Sequence, residues 1–132
     1  MSCNSVIYTV MGTPASVLAG GTVPLGAAVR RCGCGIDLNG NALQLAAPGY
    51  YDIDVNLTVQ PEAAGAITAT VYVDGAPYAG AVGTGTAAAA GDDMQIVIPT
   101  LVRVNCNVRR TVTVVLSAAA TVTNAAVTAV KV

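Results

Sequence analysis

Between Tyr50 and Gln60 the chain alternates strictly. Tyr51, Ile53, Val55, Leu57 and Val59 share one parity, and Asp52, Asp54, Asn56, Thr58 and Gln60 share the other. Period-two alternation over this length describes a strand with one buried face and fits no helix. Pro48-Gly49 opens this strand, and Pro61 with Gly65 marks the turn that ends it. Around it the pattern predicts strand, turn, strand. Asn4 to Met11 is a first strand, stopped by Gly12-Thr13-Pro14, and Thr22 to Arg31 is a looser extended stretch broken by Pro24 and Gly26. Asn39-Gly40 between two short apolar runs is a hairpin signal, as is Asp74-Gly75 between Ile67–Val73 and Tyr78–Val82. The Gly/Thr/Ala stretch Gly83 to Gly91 reads as a small-residue strand or loop. Met94 to Val104 is almost continuously apolar, which predicts a strand covered on both faces. Val108 to Leu116 and Thr121 to Val132 are two further β-branched runs. No segment carries helical periodicity with caps. The prediction is an all-β, antiparallel sandwich or jelly roll of about eight to ten strands.

Composition changes this picture in one respect. Apolar residues make up 54% of 132 residues and charged residues only 10%, so a disordered chain is excluded. The length suits a single domain, 1–132, with residues 1–20 forming an N-terminal strand and a candidate anchoring segment, Met11 to Ala19. Seven acids face six bases, a formal charge of −1, which gives no electrostatic footprint for nucleic acid. A surface so poor in charge argues for burial against other subunits. The apolar excess does not argue for a membrane span, because no run of about 20 apolar residues occurs. Met1-Ser2-Cys3-Asn4-Ser5 does not resemble the basic start of a signal peptide, so assembly in the cytoplasm is expected.

Candidate chemistry is sparse. Without histidine there is no Ser-His or Cys-His nucleophile pair and no histidine metal ligand, so no catalytic residues, no cofactor and no enzymatic activity are expected. Cys3, Cys32, Cys34 and Cys106 lack zinc-ribbon spacing and read as reduced thiols, with a disulfide to Cys106, an intersubunit link or a shared metal as alternatives. Asp52 and Asp54 share a strand face about 6.6–7 Å apart and are candidates for a cation, as are Asp92 and Asp93 after Gly91. The simpler reading is a solvated or salt-bridged face for the first pair and a polar turn for the second. Tyr50, Tyr51, Tyr72 and Tyr78 are candidates for a sugar-binding surface, although Tyr51 has the parity of the core.

The stretch Ala47-Pro48-Gly49-Tyr50-Tyr51-Asp52-Ile53-Asp54-Val55 resembles the Gly-x-Tyr strand opening of C1q/TNF-like jelly rolls. The order of elements around it is similar to that family, except that the closing strand Val127 to Val132 lacks aromatic residues. The Ala/Val/Thr-rich character also resembles trimeric head-fibre and capsid-decoration proteins of tailed bacteriophages. The resemblance implies a homotrimer with one sheet of each protomer around the threefold axis. In that arrangement Asp52, Asp54, Arg103, Val104, Val127 and Val130 belong to the trimer interface, and Asp52 or Asp54 pairs with Arg103 of a neighbour. It implies a non-enzymatic structural virion protein, a capsid decoration or head-fibre knob, contacting capsid or other virion proteins. The alternative is a glycan- or receptor-binding module on a phage fibre or on a bacterial or spore surface.

Overall fold

The computed structural model describes residues 5–11, 13–33, 35–106 and 108–132, and all regular structure among them is β. Eleven strands run through these residues: β1 (Val6–Val10), β2 (Ala15–Val17), β3 (Ala27–Cys32), β4 (Ile36–Asn39), β5 (Ala42–Leu45), β6 (Gly49–Pro61), β7 (Gly65–Val73), β8 (Ala76–Ala87), β9 (Met94–Val104), β10 (Arg110–Leu116) and β11 (Ala120–Lys131). They form two sheets. The first has the order β3-β1-β11-β6-β9, with β2 also paired to β11; the second has the order β4-β5-β10-β7-β8. From β5 onward the chain passes back and forth between sheets, leaving only the β7–β8 hairpin within one of them. That winding, with antiparallel pairing throughout, is a jelly roll.

The alternation seen in the sequence is the alternation of burial. Tyr51, Ile53, Val55, Leu57 and Val59 are wholly buried, while Asp52, Asp54 and Asn56 are exposed. Val, Leu, Ile and Ala fill the space between the sheets, and Tyr51 is the largest side chain buried there. Its hydroxyl reaches across the sandwich, donating to the Ala47 carbonyl at 2.6 Å and lying 3.3 Å from that of Gly35. Those carbonyls flank β5 and β4, so one phenol ties the first sheet to the second. Burial pushes its pKa above that of an ordinary tyrosine.

Small residues let the sheet edges close. A Cβ on Gly83 of β8 would come within 2.6 Å of Ile96 Cγ2 and 3.0 Å of Ile98 Cγ1 on β9. The Gly/Thr/Ala stretch is therefore a strand through Ala87, and its glycines admit the neighbouring isoleucines. On the opposite flank, residues 20–25 cross from one sheet to the other. Thr22 bridges to Val115 of β10, and Val23 and Leu25 are buried beneath. At Gly26, with φ of +77°, any side chain would strike the Val10 carbonyl and the Met11 Cα.

Several expectations are corrected. The second hairpin turn follows Asp74-Gly75, both at positive φ as a type I′ turn requires. The first hairpin is real, but its turn residues are Gly40-Asn41, one position later than Asn39-Gly40 suggests, because Asn39 still pairs with Ala42. The stretch Thr22 to Arg31 is only in part a strand, and β2, three residues long, has no counterpart in the prediction. β9 spans Met94–Val104 as expected, but only one of its faces is covered within the chain. The cysteines also depart from the thiol reading: Cys32 is disulfide-bonded, and Cys106 is free and exposed, so Cys106 is not its partner. Cys3 and Cys34 lie outside the described residues.

Candidate functional site

The outer face of the first sheet is built from the outward parity of β1, β11, β6 and β9. One row across it reads Val6, Val130, Asp52, Leu101; the next reads Tyr8, Thr128, Asp54, Pro99; a third reads Val10, Ala126, Asn56, Val97. Val97 is 56% exposed and Leu101 54%, with Tyr50 and Tyr8 also open to solvent. Exposed apolar residues thus stand on both sides of the polar row of β6, on β9 and on β1, and uncovered apolar surface of this kind marks interaction surfaces. Pro99 is tolerated because β9 is an edge strand.

Two carboxylates stand in the middle of this apolar face. Asp52 lies between Val130 and Leu101, and Asp54 between Thr128 and Pro99. Neither takes part in a salt bridge within the chain: among the described residues the ion pairs are Arg31–Asp37 at 3.7 Å and Arg110–Asp74 at 2.7 Å. Arg103 lies diagonally from Asp52, beside Tyr50, with its guanidinium 5.9 Å from the centre of the Tyr50 ring. A stacked guanidinium keeps its N–H donors free at the ring edge.

The structure separates the residues singled out by the sequence. Asp52, Asp54, Arg103 and Val130 share the outer face. Val104 and Val127 do not: they are 2% and 1% exposed and point into the sandwich core. Their place on the face is taken by Arg103 and Leu101 on β9 and by Ala126 and Thr128 on β11. Asp92 and Asp93 lie at the far end of the molecule as turn residues. Asp92 accepts from the Ala89 N–H at 3.1 Å, and Asp93 from the Gln60 amide at 2.8 Å. Among the described residues no three His, Cys, Asp or Glu side chains converge as a metal site would need. Tyr51 is a core residue, whereas Tyr50 stands on the outer face.

What sequence reasoning missed is the exposure of Val97 and Leu101, although Gln95, Pro99 and Arg103 on the same parity already mark that face as the outer one. The strand beside β9 carried the same signal. Pairing Asp52 with Leu101 puts the even-numbered polar residues of β6 and the odd-numbered apolar residues of β9 on one face.

The net charge also conceals a segregation. All six bases lie in the half of the sandwich that holds the start of β6 and the end of β9. Arg30 and Arg31 lie on β3, Arg103 on β9, Lys131 on β11, and Arg109 and Arg110 where β10 begins. The opposite end carries Glu62, Asp92 and Asp93 and no base. Asp74, in the basic half, is held below the usual carboxylate range, first by the Thr111 N–H and then by Arg110.

No family model and no curated protein matches this sequence. Solved structures do. Murine APRIL superposes with a TM-score of 0.77 at 14% identity, over 98% of this chain and 100% of that one. The globular domain of the zebrafish complement 1qA protein gives 0.74 at 8% identity, with 98% of both chains covered. The PRD1 vertex protein P5 gives 0.62 at 19% identity, over 100% of this chain and 99% of that one. Identities this low establish architecture alone: the chain has a C1q/TNF-like jelly-roll fold, shared with a cytokine, a complement domain and a viral vertex protein.

Proposed function

We propose that this chain is a non-enzymatic structural protein of a virion, a homotrimeric knob that decorates a capsid or tips a head fibre. The observation that carries this reading is the outer face of the first sheet. Val97 and Leu101 on β9 and Tyr8 and Val130 on β1 and β11 flank the Asp52–Asp54 row of β6, and among the described residues no other strand covers this face. Burying some thousands of Å² at roughly 25 cal/mol per Å² drives obligate assembly and hides the charge-poor surface. In the trimer the side chains of Asp52 and Asp54 meet Arg103 of a neighbour, since buried carboxylates need a partner and a guanidinium offers two parallel donors. The interface also takes in Val130, while Val104 and Val127 back it from the core. The likeness to a viral vertex protein supports a place on a particle.

The reading is tested by isolating particles from the source and quantifying this chain in them. Recovery with the particles, in copy numbers divisible by three per attachment point, is the expected result. Recovery only as free protein would refute the virion role.

A further inference from the structure

A second surface adjoins the apolar face at Arg103 and extends away from it around the start of β10. Two clefts flank the beginning of β10. The first, of about 340 Å³, is lined by Tyr78, Pro77, Val73, Asn105, Arg103 and Arg110. The second, of about 110 Å³, is lined by Arg31, Arg109, Asp37 and Gln44 among others. Arg109 opens into one and its neighbour Arg110 into the other, so the clefts are separated by one residue step, about 3.8 Å of backbone. Together they hold four of the five arginines, and two further clefts among the described residues, beside Gly80 and beside Ala64, hold none.

The two clefts have the same electrostatic design. Each contains one guanidinium held by a carboxylate, Arg110 by Asp74 and Arg31 by Asp37. Each also contains one guanidinium outside any ion pair among the described residues, Arg103 or Arg109. The paired arginine keeps donors to spare, and Arg109 supplies uncompensated charge, as does Arg103 wherever its guanidinium is not taken up by a neighbour's Asp52 or Asp54. That pairing suits a planar or tetrahedral anion. In the larger cleft the guanidiniums stand beside the Tyr78 ring, Pro77 and the Asn105 amide. An apolar wall beside an amide and two guanidiniums matches a sugar ring that carries an acidic group.

We propose that this end of the sandwich binds an acidic saccharide chain, seating one anionic substituent in each arginine cleft. Each cleft is sized for a single anionic substituent beside a ring and not for the evenly spaced phosphates of a duplex, which disfavours duplex nucleic acid. The clefts are concave and sugar-sized, which disfavours the flat acidic surface of a folded protein.

The test is retention of the full chain on immobilised heparin, polygalacturonate and neutral dextran at low ionic strength, with affinities from calorimetry. Retention on an acidic polysaccharide, released by salt, and none on dextran is expected. Heparin against polygalacturonate separates sulfate from carboxylate as the preferred group. Arg103→Ala and Arg109→Ala should each weaken binding by about tenfold. Arg30→Ala removes the same charge from the same half but lines neither cleft, and should weaken it less. Sedimentation of each variant accompanies the assay; if Arg103→Ala alters the assembly, Arg109→Ala alone decides. No retention on either acidic polymer, an Arg30→Ala loss equal to that of Arg109→Ala, or equally tight binding of duplex DNA or polyglutamate would overturn the proposal.

Discussion

The two sheets alternate with the same period, yet their outer faces differ in kind. On the second sheet most outward positions along the middle strands are threonines, Thr68 and Thr70 on β7, Thr84 and Thr86 on β8, Thr111 and Thr113 on β10, with Val82, Val115 and Tyr72 among them. Thr68 and Thr84 lie opposite one another with hydroxyl oxygens 3.2 Å apart. Threonine is β-branched, which favours a pleated strand, and its hydroxyl remains content in water. A sheet surfaced this way is soluble without charge. On the first sheet the same positions hold Val6, Tyr8, Val10, Val97 and Leu101, with two carboxylates among them. Both faces are built of strand-forming residues, but only one is built for water. The other leaves valine, leucine and tyrosine open to solvent, as the proposed trimer requires.

The strongest way to break that contrast is to charge each face in turn. Leu101→Asp sets a new carboxylate directly opposite Asp52, on a face that the account places inside the trimer. Sedimentation should show the trimer replaced by monomers. Thr113→Asp, the matching change on the second sheet, should leave the mass unaltered. A smaller effect comes from the tie between the sheets. Tyr51→Phe removes the hydroxyl that donates to Ala47, at a cost of about 1–2 kcal/mol in chemical unfolding. The pH dependence follows from the raised pKa of Tyr51. The stabilising effect of keeping this phenol protonated is complete below pH about 10, the ordinary tyrosine value, and fades as pH climbs through the higher folded value. In Tyr51→Phe that alkaline loss should be missing.

Arginine substitutions sharpen the contrast further. Arg103→Ala should lower the melting temperature of the assembly more than Arg110→Ala, because Arg103 stands on the partner-facing sheet. Arg110 makes a half-exposed pair with Asp74, worth under about 1 kcal/mol. Equal effects would place Arg103 outside the interface. The smallest effect concerns two buried hydroxyls of the first sheet, Thr9 and Thr100, neither of which finds a hydrogen-bond partner. Thr9→Val keeps the shape and removes the unpaired group, and should raise stability by about 1 kcal/mol.

Much of the architecture was legible because polar and apolar residues alternate unambiguously along β6. Its five inward residues are the five that the structure buries completely. Asp74-Gly75 announced its hairpin because positive φ at both positions is tolerable for that pair. Where both parities hold apolar residues, as along Met94–Val104, only Gln95, Pro99 and Arg103 mark the outward one. Val104 and Val127 both turn into the core, and the runs that hold them do not announce it plainly. The arginine clefts were illegible for a different reason. Arg103 and Arg110 flank one short connection, but Arg31 is distant from both in sequence, and only the crossing of strands between sheets brings it to the same end. β2 escaped notice because three residues hold too little pattern, and its pairing with β11 comes from tertiary contact.

The central claim is that the apolar face of the first sheet is covered by copies of the same chain. Sedimentation equilibrium of the unmodified protein at micromolar concentration tests it most directly. A trimer gives a single species of three times 13.1 kDa, stable to dilution. A species of 13.1 kDa, remaining soluble with the Val97–Leu101 face open to water, would contradict it.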